Sequence, residues 1–186
     1  SGAGLVTVNL IADSEVVAAA PNLADDLRFD DATAAGWVIA RPNKTADGGL
    51  QVSLKHTFDN AEQAGVLLNQ LSGEFGPFKQ MSLSRTGKET DSTFKLDGIL
   101  QVDGGLNAFA DSQMLKIIGG APFADNVQQA GLDLGKAMTI DFVATLPGVI
   151  ERTTGIDTAN TVTWRVPLDG SEQSVLTTSR NTAVRA

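Results

Sequence analysis

The sequence predicts an α+β domain in which a curved, mainly antiparallel β-sheet carries two or three packed helices. Three observations predict it. Ala137 to Leu146 alternates without a fault, so that Met138, Ile140, Phe142, Ala144 and Leu146 share one face, and Pro147-Gly148 then stops the strand. Thr161 to Leu168 alternates again, with Val162, Trp164, Val166 and Leu168 on one face, which predicts an antiparallel pair with the first run. The rest of the chain interleaves further alternating runs with stretches of helical period, the mixture expected of helices laid on a sheet.

In chain order, Leu5 to Ala12 reads as a strand with Val6, Val8 and Leu10 inward, beginning so early that its partner is expected upstream. Ser14 to Leu27 holds helix formers broken by Pro21-Asn22, which predicts a short helix, a break and a further turn. Trp37 to Arg41 and Leu50 to Phe58 flank a stretch rich in Pro, Asn, Asp and Gly, the pattern of a loosely turned hairpin. Asp59 and Glu62 have the spacing of a capping pair. Ala61, Ala64, Leu67, Leu68 and Leu71 then recur at helical spacing until Gly73. Phe78 to Arg85 and Thr93 to Val102 form a second hairpin across Thr86 to Asp91. Leu106 to Ile118 has helical character between glycine pairs, and Phe123 to Lys136 has no clear period. A last strand, Val175 to Ser179, follows the turn at Asp169-Gly170. Residues 1–180 thus make one domain and 181–186 a polar tail.

Charge and composition exclude several functions. The net charge of -8 opposes phosphate backbones and anionic lipid surfaces, so no nucleic-acid partner is expected. Without cysteine there is no disulfide, no thiolate metal site and no cysteine nucleophile. His56 is the single histidine, set among Val52, Leu54 and Phe58 on an inward strand face; it reads most simply as a half-buried residue. A hydrolase would have to recruit it with a distant serine and carboxylate, and no Gly-x-Ser-x-Gly elbow is present. Asp25-Asp26 and Asp30-Asp31 lack the spaced pattern of a calcium loop and read as solvated surface. No metal and no cofactor is implied.

The aromatic and aliphatic residues Phe75, Phe78, Phe109, Met114, Ile117, Ile118 and Phe123 gather where apolar periodicity is blurred. They serve either as core or as the lining of a ligand site for an acyl chain, since such sites are concave and mostly apolar.

Leu146-Pro147-Gly148, Thr154-Gly155, Asn160-Thr-Val-Thr-Trp164, Pro167, Gly170 and the Leu176 to Ser179 strand together resemble the closing segment of the LppM-type lipoprotein domain of mycobacteria and related actinobacteria. The order of the earlier elements is similar too, so the resemblance covers most of the chain. It implies a non-enzymatic, extracytoplasmic domain of the cell envelope. Such domains are tethered to the membrane by flanking segments, a lipidated cysteine and often a membrane helix, and are connected with glycolipids. Neither anchor is within this sequence, and Ser1-Gly2 would correspond to the middle of the family's first hairpin, with one edge strand missing. The expected function is lipid or glycolipid binding. A cell-surface structural module that meets a protein partner through its edge strands is the alternative, and hydrolysis through His56 is the third reading.

Overall fold

The computed structural model describes residues 4–27, 29–71, 76–103 and 124–182. Among these residues, eleven strands and six short helices follow in the order β1 (Gly4–Ala12), α1 (Ser14–Ala19), α2 (Leu23–Asp26), α3 (Asp30–Ala34), β2 (Val38–Ile39), β3 (Asn43–Lys44), β4 (Leu50–Phe58), α4 (Ala61–Leu71), β5 (Phe78–Lys88), β6 (Asp91–Leu100), α5 (Ala124–Gln129), α6 (Leu134–Ala137), β7 (Met138–Thr145), β8 (Val149–Thr153), β9 (Ile156–Thr158), β10 (Thr161–Arg165) and β11 (Gln173–Asn181). Every strand pairing is antiparallel, and the α+β class read from the sequence holds. The strands divide between two open sheets. One runs β2-β4-β1-β7-β10-β9 with β3 also on β4; the other runs β5-β6-β11-β8.

The alternation that predicted β7 and β10 is largely obeyed: Met138, Ile140, Phe142, Ala144 and Leu146 are buried, as are Val162, Trp164 and Val166, while Leu168, beyond the end of β10, is half-buried against the core. The two strands pair in register, Trp164 opposite Phe142. Their inward faces, with Val6, Val8 and Leu10 of β1 and Val52 and Leu54 of β4, meet Phe78, Leu83, Phe94, Leu96 and Val175 of the second sheet in one core. Contact between the layers is direct, since the Phe78 and Phe142 rings lie edge to face at 5.3 Å.

Several expectations are corrected. β1 does not wait for an upstream partner. It lies between β4 and β7, paired along both sides, so a strand preceding it has no place at its edge. Non-local partners leave no local signal, which is why the strand's position in the chain was a poor guide. The cap of α4 is one residue later than Asp59-Glu62: the Asn60 side chain accepts from the Gln63 amide at 3.0 Å, and the Gln63 side chain accepts from the Asp59 amide at 3.0 Å. Both pairs satisfy the capping spacing, and asparagine at the cap leaves Asp59 free to close β4. The connection between β7 and β10 is not merely polar but holds β8 and β9, which belong to different sheets.

That crossing explains two glycines. Gly148 turns the chain out of β7 with φ +87°, and a Cβ there would sit 2.2 Å from the Arg180 carbonyl oxygen. Gly155 separates β8 from β9; its missing Cβ is occupied by the Trp164 indole, at 2.7 Å from Cε2. The loop between β9 and β10 has only Ala159 and Asn160, at φ 52° and 66°, the two left-handed residues of a tight hairpin turn. Alanine is a poor choice there. Ala159→Asn combined with Asn160→Gly is expected to stabilise the fold by roughly 1 kcal/mol, read as a rise in the urea midpoint at unchanged slope.

Candidate functional site

The sites read from the sequence fare differently. Of the seven apolar candidates, only Phe78 lies among the residues whose side chains are described; Phe75, Phe109, Met114, Ile117, Ile118 and Phe123 fall outside them. Phe78 is 2% exposed and packs behind Phe142 as core.

His56 is half-buried at the inward end of β4, as its neighbours predicted. Its Nδ1 faces the Thr57 carbonyl, its Nε2 faces the Ala35 carbonyl at 3.2 Å, and the Trp37 ring meets it edge-on at 5.4 Å. Both nitrogens face backbone carbonyls, of which a neutral ring can donate to one, and no serine hydroxyl is bonded to the ring among the described residues. A general base needs a free nitrogen within reach of a nucleophile, so this geometry lends hydrolysis no support. Nor do three or more carboxylate or imidazole groups converge as a metal site among the described residues.

The edge strands also bear on partners. β2 and β3 have two residues each and β9 three. The longer edge β5 is bulged at Gln80 and Met81, where the Asn69 amide of α4 both donates to the Met81 carbonyl at 2.9 Å and accepts from its N–H at 3.0 Å. β8 is bulged at Glu151 and carries Arg152 beside it. Short, bulged, charged or covered edges resist the addition of a foreign strand. The long, uncharged edge that β-augmentation would use is absent among the described residues.

What the two layers do leave is an apolar crevice. Phe58 of β4, Leu68 of α4, Leu83 of β5, Leu96 of β6 and Phe142 of β7 line it, with Leu5 and Thr145 at its rim. No lining side chain is charged. Leu5 is 42% exposed, one of few large apolar side chains open to solvent. The free space, about 10 Å³ for the centre of a water-sized sphere, holds a single water, so a longer occupant enters only if the layers part. Sequence reasoning missed this site because its lining comes from five strands and a helix that meet only in the folded chain. Leu5, an apolar residue on the outward phase of an alternating strand, was a local signal.

Electrostatics elsewhere is structural. Arg180 of β11 donates from Nε at 3.0 Å and from Nη2 at 2.9 Å to Asp91 at the start of β6. These bonds hold the Asp91 carboxyl below its ordinary value of 3.8. A depressed folded value means that the stabilisation is present above the unfolded value and is lost as pH falls through the folded one. Urea midpoints of the parent and Asp91→Asn should therefore differ at about pH 6 and converge toward pH 2, because protonation removes in the parent what the substitution removes in the variant. A gap that persists in acid would show the pair contributes nothing through charge.

No family model, no curated protein and no solved structure matches the chain.

Proposed function

We propose that this chain is a non-enzymatic binding domain for an amphiphilic lipid or glycolipid, whose acyl chain enters the crevice between the two sheets. The observation that carries the reading is the crevice itself: a continuous apolar lining that reaches the surface at Leu5. The resemblance to LppM-type domains supports the same ligand class and an extracytoplasmic placement, with the domain tethered to a membrane through segments outside this chain. No helix among the described residues is long and apolar enough to cross a membrane.

Because the protein is acidic and the lining uncharged, binding draws on burial of the chain, at up to about 0.8 kcal/mol for each methylene, rather than on attraction to head groups. It should survive high salt. The test is titration of a fluorescent acyl lipid into the parent and into Leu5→Asp at low and at high salt. Saturable, salt-resistant binding to the parent, weakened about tenfold by a rim charge worth about 1.4 kcal/mol, is expected. Absence of saturable binding to folded parent would remove the lipid reading, and binding abolished by salt would replace its mechanism. Ile117→Asp and Ile118→Asp in the same titration report whether the sequence candidates of the 106–123 stretch share in the site.

A further inference from the structure

Arg85 is a cation on the inward face of the second sheet. It follows Leu83 on the same phase of β5 and stands opposite Phe94, as Leu83 stands opposite Leu96. Leu83 and Leu96 line the crevice, so Arg85 and Phe94 form the next inward pair, roughly 7 Å further along the strands. The neighbouring strand puts that pair at the end where the crevice reaches the surface. Ser179 of β11 is opposite Phe94, and its hydroxyl donates at 2.9 Å to the carbonyl of Pro147, which directly follows the lining residues Thr145 and Leu146. The guanidinium carbon of Arg85 lies 5.9 Å from the centre of the Phe94 ring. Its Nη2 donates to the Lys88 carbonyl over a long 3.4 Å, while its buried Nε has no acceptor among the described residues. No carboxylate forms an ion pair with it among those residues either. A buried donor without a partner is uncommon in a folded protein and calls for an acceptor.

We propose that Arg85 anchors the head group at the crevice, and that the amphiphile it selects is a single-chain carboxylic acid in its ionised form. This rests on the reading that the crevice takes an acyl chain. A guanidinium offers five donors in a planar fork and no acceptor, and a carboxylate brings two oxygens that match the fork side by side. The Phe94 ring holds the fork in place, and no protein carboxylate has to be displaced from it. The contact given up, to the Lys88 carbonyl, is a weak one. Other head groups match less well. A hydroxyl forms an uncharged bond, roughly half as strong as one between two ions. An ammonium group meets a like charge. A phosphate monoester carries about -1.5 to -2, and a single guanidinium leaves part of that unpaired in a protein of net charge -8. Burial of the chain supplies the affinity, and the one ion pair selects the head.

The experiment titrates sodium decanoate, decyl phosphate, decylamine and decanol, each below its micelle concentration and at about pH 8, where a carboxylate is ionised, into the parent, Arg85→Met and Arg85→Lys. Calorimetry gives affinities, and tryptophan emission reports the crevice because Trp164 stacks on its Phe142 wall. Decanoate should bind the parent about tenfold more tightly than decanol, the effect of one charge-assisted contact, and more tightly than the phosphate or the amine. Arg85→Met keeps an apolar stem and should erase that margin while leaving decanol affinity unchanged. Arg85→Lys keeps the charge without the fork and should retain about half of the margin or less, and it decides the matter if the methionine variant does not fold. Decanol, phosphate or amine binding the parent as tightly as decanoate, or a margin undiminished in either variant, overturns the proposal. Equal losses of decanol and decanoate affinity in Arg85→Met also overturn it, since Arg85 would then serve the fold and not the head group. Decanol binding with no preference among head groups overturns it while leaving the crevice reading intact, and no binding by any of the four overturns both.

Discussion

Replacing Trp164 by alanine is expected to cost the fold about 3 to 5 kcal/mol, the range for deleting a buried tryptophan, and a large share of the whole stability of a domain this size. The side chain is 2% exposed and stacks on Phe142 at 5.4 Å. Its Nε1 donates to Thr154 Oγ1 at 3.1 Å, while that hydroxyl donates to the Ser174 carbonyl and accepts from the Leu176 amide, both at 2.9 Å. Trp164 belongs to the first sheet; Ser174 and Leu176 belong to β11 of the second. The indole thus ties the sheets together at the point where the chain passes between them. Truncation would empty the space that Gly155 leaves open as well as break the bond. Urea melts decide: a loss under about 1 kcal/mol would mean the indole contributes little, and Trp164→Phe should recover all but roughly 1 kcal/mol of the loss, the contribution of one hydrogen bond.

The same contact shows what a sequence of this kind discloses. Strands with one buried face announce themselves, because a period of two is forced on β4, β7 and β10 by having core on one side and water on the other. Helix α4 was legible for the equivalent reason at a period near 3.6, and its cap was misplaced by one residue because Asp59 and Asn60 are equally competent chemically. Topology was not legible. Nothing local tells β1 that its neighbours are β4 and β7, far along the chain, nor tells β8 and β9 that a two-residue connection sends them into different sheets. Thr154-Gly155, which in the sequence were only part of a resemblance, and Trp164, which alternation placed on an inward face, turn out to be the parts of that junction: glycine for close approach, threonine to accept from the indole. The crevice was hidden by the same cause, since each lining residue taken singly is an ordinary core position.

Phe142 joins the core to the crevice, and its truncation should show both. It is wholly buried, edge-to-face with Phe78 on one side and stacked on Trp164 on the other. Phe142→Ala is expected to cost about 3 to 5 kcal/mol, by lost transfer energy and by the cavity that two rigid aromatic neighbours cannot collapse to fill. Because Phe142 and Trp164 share their stacked contact, the double alanine variant should lose less than the sum of the single losses. The cavity opens onto the crevice, whose free space is otherwise that of one water. An apolar cavity of that kind stays dry and accepts apolar ligands. Decanol should therefore raise the urea midpoint of Phe142→Ala more than that of the parent, since a ligand stabilises in proportion to the logarithm of its concentration over its dissociation constant. A variant destabilised as expected but no more responsive to decanol than the parent would show that the chain does not enter past Phe142, and would move the apolar ligand site away from this face of the core.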